Sequence, residues 1–327
     1  MSSKILIIKP SSLGDIVHAL PAVGAVRDAN PKADITWVIN PEWAPLLRGN
    51  RDIDHVHIFP RGEFRGFGAP TNLLPWLRET RRLEPDVALD FQGLLRSALI
   101  AKASGAKKIY GMSDGREGSR LFFNVVAQVD RQEHAVDRYL KLADAFGAPA
   151  TSGLRFPIPT GDPLPRFDPY PGFVVLHPFA RGRRKSISNS AITEFCRALA
   201  PARVVVVGKS HRRFSPLENC VNLTNQTSLL QLTWLLRKAA YVISVDSGPM
   251  HIAAAVTTNL TSIHTWTDPR RVGPYNAAAS VWKNGHLYRV ADLTDGLDLR
   301  KGRKFKREDV APIATLARHA LAKQPTA

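Results

Sequence analysis

The sequence predicts an α/β protein made of two successive domains, each built on a parallel β-sheet. Short apolar strand-like runs alternate with helical stretches in the first half, and the same pattern restarts after residue 172. Such alternation is typical of parallel sheets whose strands are joined by crossover helices. Between the halves, residues 155–172 hold six prolines, and because proline interrupts helices and central strands, this segment is predicted to be the linker.

The individual elements follow from the same patterns. In the first half, strands are predicted at residues 4–9, 34–39, 55–59 and 86–91, and apolar residues between Ile16 and Val26 recur at helical spacing. In the second half, strands are predicted at residues 173–177, 203–208, 241–246 and 260–266, and a terminal helix at 307–322. Because such sheets bind ligands beyond the carboxyl ends of their strands, we expect a cleft between the domains.

Charge is distributed unevenly along the 327 residues. Residues 1–150 hold 20 Lys and Arg against 17 Asp and Glu, whereas residues 151–327 hold 25 against 11. The excess lies in runs at 181–185, 209–213 and 300–307, which attract phosphates, nucleic acid or an anionic membrane surface. A solvated basic face is the alternative for each run. Nucleic-acid binding is disfavoured, because Phe305 is the only aromatic residue within the 300–307 run and no nucleic-acid-binding motif is present.

The sequence also indicates a compartment. No apolar run reaches the length of a membrane span, and the N-terminus lacks a signal-peptide core. The chain has two cysteines, without metal-ligand spacing, as expected for a reducing compartment. We therefore expect a cytoplasmic protein.

Asp15 lies where the first strand gives way to the first helix. A carboxylate there could act as a general base, with Gly14 allowing a ligand to approach the backbone closely. It could instead be a first-turn acid or N-cap that stabilises the helix dipole. Position alone favours the second interpretation.

The segment "SVDSGPMHIAAA" (244–255) has a strand end, a turn at Asp246-Ser247-Gly248 and Pro249 at the first helical position. The helix N-terminus could bind an anion, Asp246 could bind sugar hydroxyls, and His251 lies nearby. An ordinary capped helix is the alternative.

Two further loops follow predicted strands. In "LHPFARGRRK" (176–185), four basic residues could bind a diphosphate: Arg181, Arg183, Arg184 and Lys185. In "TWTDPRRVGPYN" (265–276), Thr267-Asp268-Pro269 forms a predicted turn. The chain has no GxGxxG after its first strand, no P-loop and no HExxH. We therefore expect no cofactor and no catalytic metal.

Together these segments resemble the lipopolysaccharide heptosyltransferases, which use ADP-heptose, and most closely their heptosyltransferase I branch. The resemblance rests mainly on "KPSSLGDIVHALPA" and "SVDSGPMHIAAA", supported by "DFQGLLRSA", "GMSDGREGSRLFFN", "QEHAVDRYLKL" and "TDPRRVGPYN". It implies a GT-B fold with two Rossmann-like domains facing a central cleft. The implied domains are an acceptor-binding one at 1–154, the linker at 155–172, a nucleotide-sugar domain at 173–305 and a C-terminal helix and tail at 306–327.

The resemblance further implies an inverting, metal-independent transfer of heptose to the Kdo-lipid A inner core, at the inner face of the inner membrane. Asp15 matches the catalytic base of the family. The implied donor-binding residues are Lys185, Arg181, Asp246, Ser247, Gly248 and His251. The implied acceptor-binding residues are Ser12, Gly14, Arg61, Arg116 and Arg138. A transferase of the same fold with a different nucleotide sugar or acceptor remains the alternative.

Overall fold

A computed structural model describes residues 3–64, 69–151, 153–169, 172–182 and 184–324. Arg183 of the predicted diphosphate-binding run lies outside these ranges. The chain divides into two compact units, unit 1 at residues 1–159 and unit 2 at residues 160–327. No helix in the described ranges combines the length and the apolar character needed to cross a bilayer.

Unit 1 contains a parallel sheet covered by helices. Its strands are β1 (Lys4–Ile8), β2 (Asp34–Ile39), β3 (His55–Ile58), β4 (Val87–Asp90), β5 (Lys108–Met112) and β6 (Val125–Ala127). Its helices are α1 (Leu13–Ala29), α2 (Ala69–Arg82), α3 (Leu95–Ala103) and α4 (Ala135–Ala145), with 3₁₀ turns at Ala44–Leu47 and Ser119–Phe122. The strand order is β3-β2-β1-β4-β5-β6, with every neighbouring pair parallel.

Helix α1 is the central helix of unit 1. From Leu13 to Val26, a stretch that the structure describes in full, Asp15 is the one residue that is not buried. A helix that is apolar on all sides must be covered on all sides, and here α1 packs against α4 and lies between β1 and β2 in the chain. Its N-terminus begins directly beyond β1, so Asp15 lies at the carboxyl edge of the sheet.

Unit 2 repeats this architecture. Its strands are β7 (Phe173–His177), β8 (Arg203–Val206), β9 (Cys220–Asn222), β10 (Tyr241–Val245), β11 (Leu260–His264), β12 (Ser280–Lys283) and β13 (His286–Arg289). Its helices are α5 (Asn189–Leu199), α6 (Leu229–Lys238), α7 (Gly248–Val256), α8 (Pro269–Val272) and α9 (Val310–Leu321), with 3₁₀ turns at Val290–Asp292 and Arg307–Asp309. The order is β13-β12-β11-β10-β7-β8-β9, parallel except for the β12–β13 pair. The predicted α/β fold with parallel sheets is confirmed.

The Pro-rich segment is anchored to both units. The Arg155 guanidinium binds the carboxylates of Asp28 and Asp52 and the carbonyl of Gly24, all in unit 1. Farther along, the backbone N–H of Asp162 donates to the carbonyl of Leu230 in α6 of unit 2. The unit boundary at Pro159–Thr160 lies between these two attachments.

Both sheets reverse their strand order next to their first strand. In unit 1 the chain moves outward from β1 through β2 and β3, then returns to β4 on the other side. In unit 2 it does the same from β7, returning to β10. Crevices at such switch points, beyond the carboxyl ends of the strands, are where open α/β sheets bind ligands.

Candidate active site

The switch point of unit 1 brings together the residues that follow β1 and β4. After β1 come Lys9, Pro10, Ser11 and Ser12, and Asp15 occupies the third position of α1. Asp15 Oδ2 accepts hydrogen bonds from the Ser12 backbone N–H at 3.1 Å and from the Ser12 hydroxyl at 2.7 Å. Asp15 therefore caps the first turn of α1, and its half-buried carboxylate reaches the surface at the same edge.

Lys9 places a buried positive charge close to Asp15. Its Nζ donates to the Phe91 carbonyl at 3.0 Å and lies 5.0 Å from the centre of the Tyr139 ring. Burial disfavours the ammonium ion, but Tyr139 and the Asp15 and Asp90 carboxyls outweigh this effect, so the pKa of Lys9 is raised. The lysine therefore remains charged, and its ammonium group attracts the Asp15 carboxylate.

Asp90, at the end of β4, organises the neighbouring turn. Its carboxylate accepts hydrogen bonds from the backbone N–H groups of Gln92 and Gly93 and from the Ser97 hydroxyl, at 2.8–3.0 Å. Burial raises the pKa of Asp90 to about 6, although these hydrogen bonds and Lys9 oppose the shift. The turn that Asp90 holds begins α3.

A cavity of about 150 Å³ lies beside this turn. It is lined by Pro10, Ser11, Asn40, Phe59, Arg61, Gln92, Leu94, Arg96, Ser97, Ile100 and Glu117. The side-chain oxygen of buried Asn40 has no hydrogen-bond partner among the described residues. The guanidinium groups of Arg61 and Arg96 and this side-chain oxygen of Asn40 suit a ligand that carries negative charge and hydroxyl groups.

The predicted acceptor-binding residues do not all lie in this cavity. Ser12 and Gly14 lie at the start of α1, and Arg61 lines the cavity. Arg116 is exposed, next to the cavity residue Glu117. Arg138, on α4, forms an ion pair with the Asp114 carboxylate, so its charge is already partly neutralised.

In unit 2, Asp246 follows β10 and is almost fully buried. Its Oδ2 accepts from Lys185 Nζ at 2.6 Å and from the Thr267 hydroxyl at 2.6 Å. Burial disfavours the carboxylate, but His264, Lys185 and Thr267 outweigh it, so the pKa of Asp246 is lowered to about 2. The carboxylate is therefore ionised at neutral pH, at the β7–β10 switch point.

A chain of hydrogen bonds supports Asp246 from behind. Thr267 uses its one hydroxyl proton on Asp246, so it accepts from His264 Nδ1–H, 3.0 Å away. His264 Nε2 then accepts from the Ser262 hydroxyl at 3.1 Å. Burial lowers the pKa of His264 to about 4, so the ring is neutral and this one tautomer satisfies every partner.

The other predicted donor-binding residues surround Asp246. Ser247 is the N-cap residue of α7, which begins at Gly248. Pro249 is the second residue of this helix, one position later than predicted. The Ser247 hydroxyl lies 3.2 Å from His177 Nδ1, and burial lowers the pKa of His177 to about 4. His251 is buried in the first turn of α7.

The described basic residues of the loop after β7 differ in their contacts. Arg184 stacks its guanidinium 5.2 Å from the centre of the Trp266 ring, and its carbonyl accepts from Thr265 Oγ1 and Trp266 Nε1. Arg181 is exposed and has no recorded ion pair within the described ranges. Lys185 is therefore the residue of this loop that the structure brings to Asp246.

Several site residues were not identified from the sequence. Lys9, Asp90 and Tyr139 in unit 1, and His264 and Lys283 in unit 2, were not assigned roles. Lys283 is buried and its Nζ donates to the Thr267 carbonyl at 3.0 Å. Four of these residues could have been found from the sequence, because each is a charged residue or a histidine at the end of a strand or directly after one, as in "ILIIKP" and "TSIH". Tyr139, inside α4, has no such signal.

Comparisons with known proteins agree with this architecture. The chain is 26% identical over 291 residues to the lipopolysaccharide core heptosyltransferase OpsX of Haemophilus influenzae, covering 83% of this chain and 81% of that protein. It is 26% identical over 299 residues to lipopolysaccharide heptosyltransferase 1 of Escherichia coli, covering 83% and 91%.

A solved structure, "E. coli heptosyltransferase WaaC with ADP-2-deoxy-2-fluoro heptose", superposes with a TM-score of 0.71 at 22% identity, covering 86% of this chain and 93% of that one. The fold is therefore of the GT-B class, with two Rossmann-like units. The model of glycosyltransferase family 9 (heptosyltransferase) matches residues 76–299, more than half of the chain. The chain belongs to glycosyltransferase family 9, the heptosyltransferases.

Proposed function

We propose that the protein transfers heptose from ADP-heptose to the Kdo-lipid A inner core of lipopolysaccharide, with inversion at the anomeric carbon. The observation that carries the proposal is the position of Asp15. It is the one residue of Leu13–Val26 that is not buried, and it lies at the carboxyl edge of the unit 1 sheet. The similarity to lipopolysaccharide heptosyltransferases supports the donor and acceptor classes.

In the proposed reaction, Asp15 acts as the general base. It takes the proton of an acceptor hydroxyl while that oxygen attacks the anomeric carbon of the donor. The bond from that carbon to the diphosphate oxygen breaks, and ADP leaves with the electron pair. General-base catalysis of this kind contributes about 10²–10⁴-fold to the rate.

The switch point of unit 2 is suited to the donor. The leaving diphosphate gains negative charge in the transition state, and Lys185, Arg181 and the positive end of the α7 dipole can neutralise it. Asp246 can accept hydrogen bonds from sugar hydroxyls, and Ser247, Gly248 and His251 complete this edge. These groups perform the charge neutralisation that a metal ion performs elsewhere, so we propose that the transfer is metal-independent.

The cavity of unit 1 is suited to the acceptor. Arg61 and Arg96 line it, and guanidinium groups bind carboxylates and phosphates such as those of Kdo and lipid A. Ser12, Gly14, Arg116 and Arg138 lie on the surrounding elements. Because the acceptor is lipid-linked, we propose that the protein works at the inner face of the inner membrane.

The test is ADP release by the full chain with ADP-heptose and Kdo-lipid A, with and without EDTA. A panel of other ADP-, GDP- and UDP-sugars serves as the donor control, and NMR of the product gives the anomeric configuration. Of the nucleotide sugars in the panel, we expect only ADP-heptose to support nucleotide release. The rate should be the same with and without EDTA, and the product should have the inverted anomeric configuration. Release with a different nucleotide sugar only would contradict the donor assignment, and retained configuration would contradict the mechanism.

A further inference from the structure

An apolar and basic face lies on α3 and the adjoining 3₁₀ turn Ser119–Phe122. Leu95 and Leu99 are one helical turn apart on α3 and are 37% and 49% exposed. Leu121, in the 3₁₀ turn, is 89% exposed. Single exposed leucines are common on protein surfaces, whereas three on adjoining elements indicate an interaction surface.

The two elements are held together by the turn after β4. The 3₁₀ turn packs directly against α3. The Gly93 carbonyl accepts from the Arg116 backbone N–H at 2.8 Å and from the Ser119 hydroxyl at 3.2 Å. The three leucines therefore lie on two elements that pack against each other.

Basic residues surround these leucines. We define the docking face as Leu95, Leu99, Leu121, Lys102, Arg116 and Arg120, all of which are exposed. Glu117 is the acidic residue among its neighbours in residues 116–122. Leucine side chains flanked by Lys and Arg are how peripheral proteins bind anionic bilayers, because the leucines enter the headgroup region while the cations approach lipid phosphates.

The docking face adjoins the unit 1 cavity. Arg96, between Leu95 and Leu99 in the chain, lines the cavity, and so does Glu117, next to Arg116. We propose that the docking face binds the surface of an anionic phospholipid bilayer and so places the cavity beside lipid-linked acceptor. This inference rests on the proposed function for its acceptor, but the binding itself requires only phospholipid.

The experiment is sedimentation of the full chain with vesicles of phosphatidylglycerol and phosphatidylethanolamine that contain no acceptor. Phosphatidylcholine vesicles test the requirement for anionic lipid. The variants are Leu121→Ser, Arg120→Gln and the double variant Leu99→Ser/Leu121→Ser. Leu217→Ser, at a leucine of unit 2 that is 36% exposed, is the matched control.

We expect the wild type to sediment with anionic vesicles and not with phosphatidylcholine. Leu121→Ser is expected to lower the partition coefficient by about three- to tenfold, and Arg120→Gln by about fivefold. The double variant should lower it further than Leu121→Ser does. Leu217→Ser should bind like the wild type. Equal binding by Leu121→Ser and Leu217→Ser overturns the proposal, as does a wild type that does not bind.

A second arm separates this proposal from the proposed function. ADP release is measured with acceptor dispersed in detergent, where no bilayer is present, and the docking variants are expected to match the wild type there. A wild type that sediments but releases no ADP contradicts the proposed function alone. A wild type that releases ADP but does not sediment contradicts the docking face alone.

Discussion

Lys185 Nζ lies 2.6 Å from Asp246 Oδ2, so the loops after β7 and β10 are joined by an ion pair across the switch point of unit 2. Asp246 is nearly fully buried, whereas Lys185 is about one-third exposed. The lysine is therefore paired with the carboxylate while part of its side chain remains accessible from solvent. Under the proposed function, this lysine is the cation that meets the diphosphate of the donor.

Replacing Lys185 by Met should weaken ADP binding. The substitution keeps the length of the side chain but removes its charge, and a charge-assisted hydrogen bond is worth about 1.5–3 kcal/mol. We therefore expect the dissociation constant for ADP, measured by calorimetry, to rise about 10- to 100-fold. Lys238→Met is the matched control, because Lys238 is exposed at the end of α6, at the opposite edge of the sheet. Equal affinities for the two variants would remove Lys185 from the donor site.

Replacing Thr267 by Val should weaken donor binding through Asp246. The valine has a similar shape but cannot donate to Asp246 or accept from His264, and a lost partner for a buried charged group costs about 1–3 kcal/mol. We expect about a tenfold or greater rise in the dissociation constant for ADP-heptose. Thr267→Ser, which keeps the hydroxyl, should restore most of the affinity. If Thr267→Ser binds ADP-heptose as weakly as Thr267→Val, the loss of affinity comes from packing and not from the hydroxyl.

Stability of unit 2 should fall as the pH is lowered from 6.5 to 4. The pKa values of His177 and His264 are about 4 in the folded protein, below the unfolded value of about 6.5. In this window the unfolded state binds more protons, so acid favours unfolding, by on the order of 2–3 kcal/mol for each histidine. Asp90, with a pKa of about 6, acts in the opposite direction, but in unit 1.

Thermal unfolding at a series of pH values measures this effect. Because the titrating groups differ between the units, the transition assigned to unit 2 should move to lower temperature, while that of unit 1 changes less. In His264→Asn the shift of the unit 2 transition should be smaller than in the wild type. A shift of the same size in this variant would show that His264 is not one of the groups responsible.

The parts of the fold that were predictable from sequence are the elements with strong apolar patterns. β1, β2, β7, β10 and the terminal helix lie where their patterns placed them. The strands that were missed are β5, β6, β9, β12 and β13. All five lie toward the outer parts of the two sheets. β6 and β9 have three residues each, β5 contains Gly111 and β13 is half-exposed, so these sequences carry a weak apolar signal.

The candidate site was predictable only where a motif is local. Asp246 follows an apolar strand directly and Asp15 lies in the first turn of the helix after one, and the structure places both at switch points. Contacts between distant segments were not predictable. The Asp246–Thr267 pair spans 21 residues and the Arg138–Asp114 pair spans 24, and no periodicity or spacing rule connects them. Arg138 therefore matches the family motif "QEHAVDRYLKL", although in the structure it forms an ion pair with Asp114.

The most direct test of the central claim compares ADP release by Asp15→Asn and Asp137→Asn. Both acids occupy the third position of a helix, α1 for Asp15 and α4 for Asp137, and these helices pack against each other. Each variant therefore loses one first-turn charge. We predict that Asp15→Asn folds, binds ADP like the wild type and loses kcat by about 10²–10⁴-fold, while Asp137→Asn keeps kcat within severalfold. Comparable kcat values for Asp15→Asn and the wild type would contradict the assignment of Asp15 as the base.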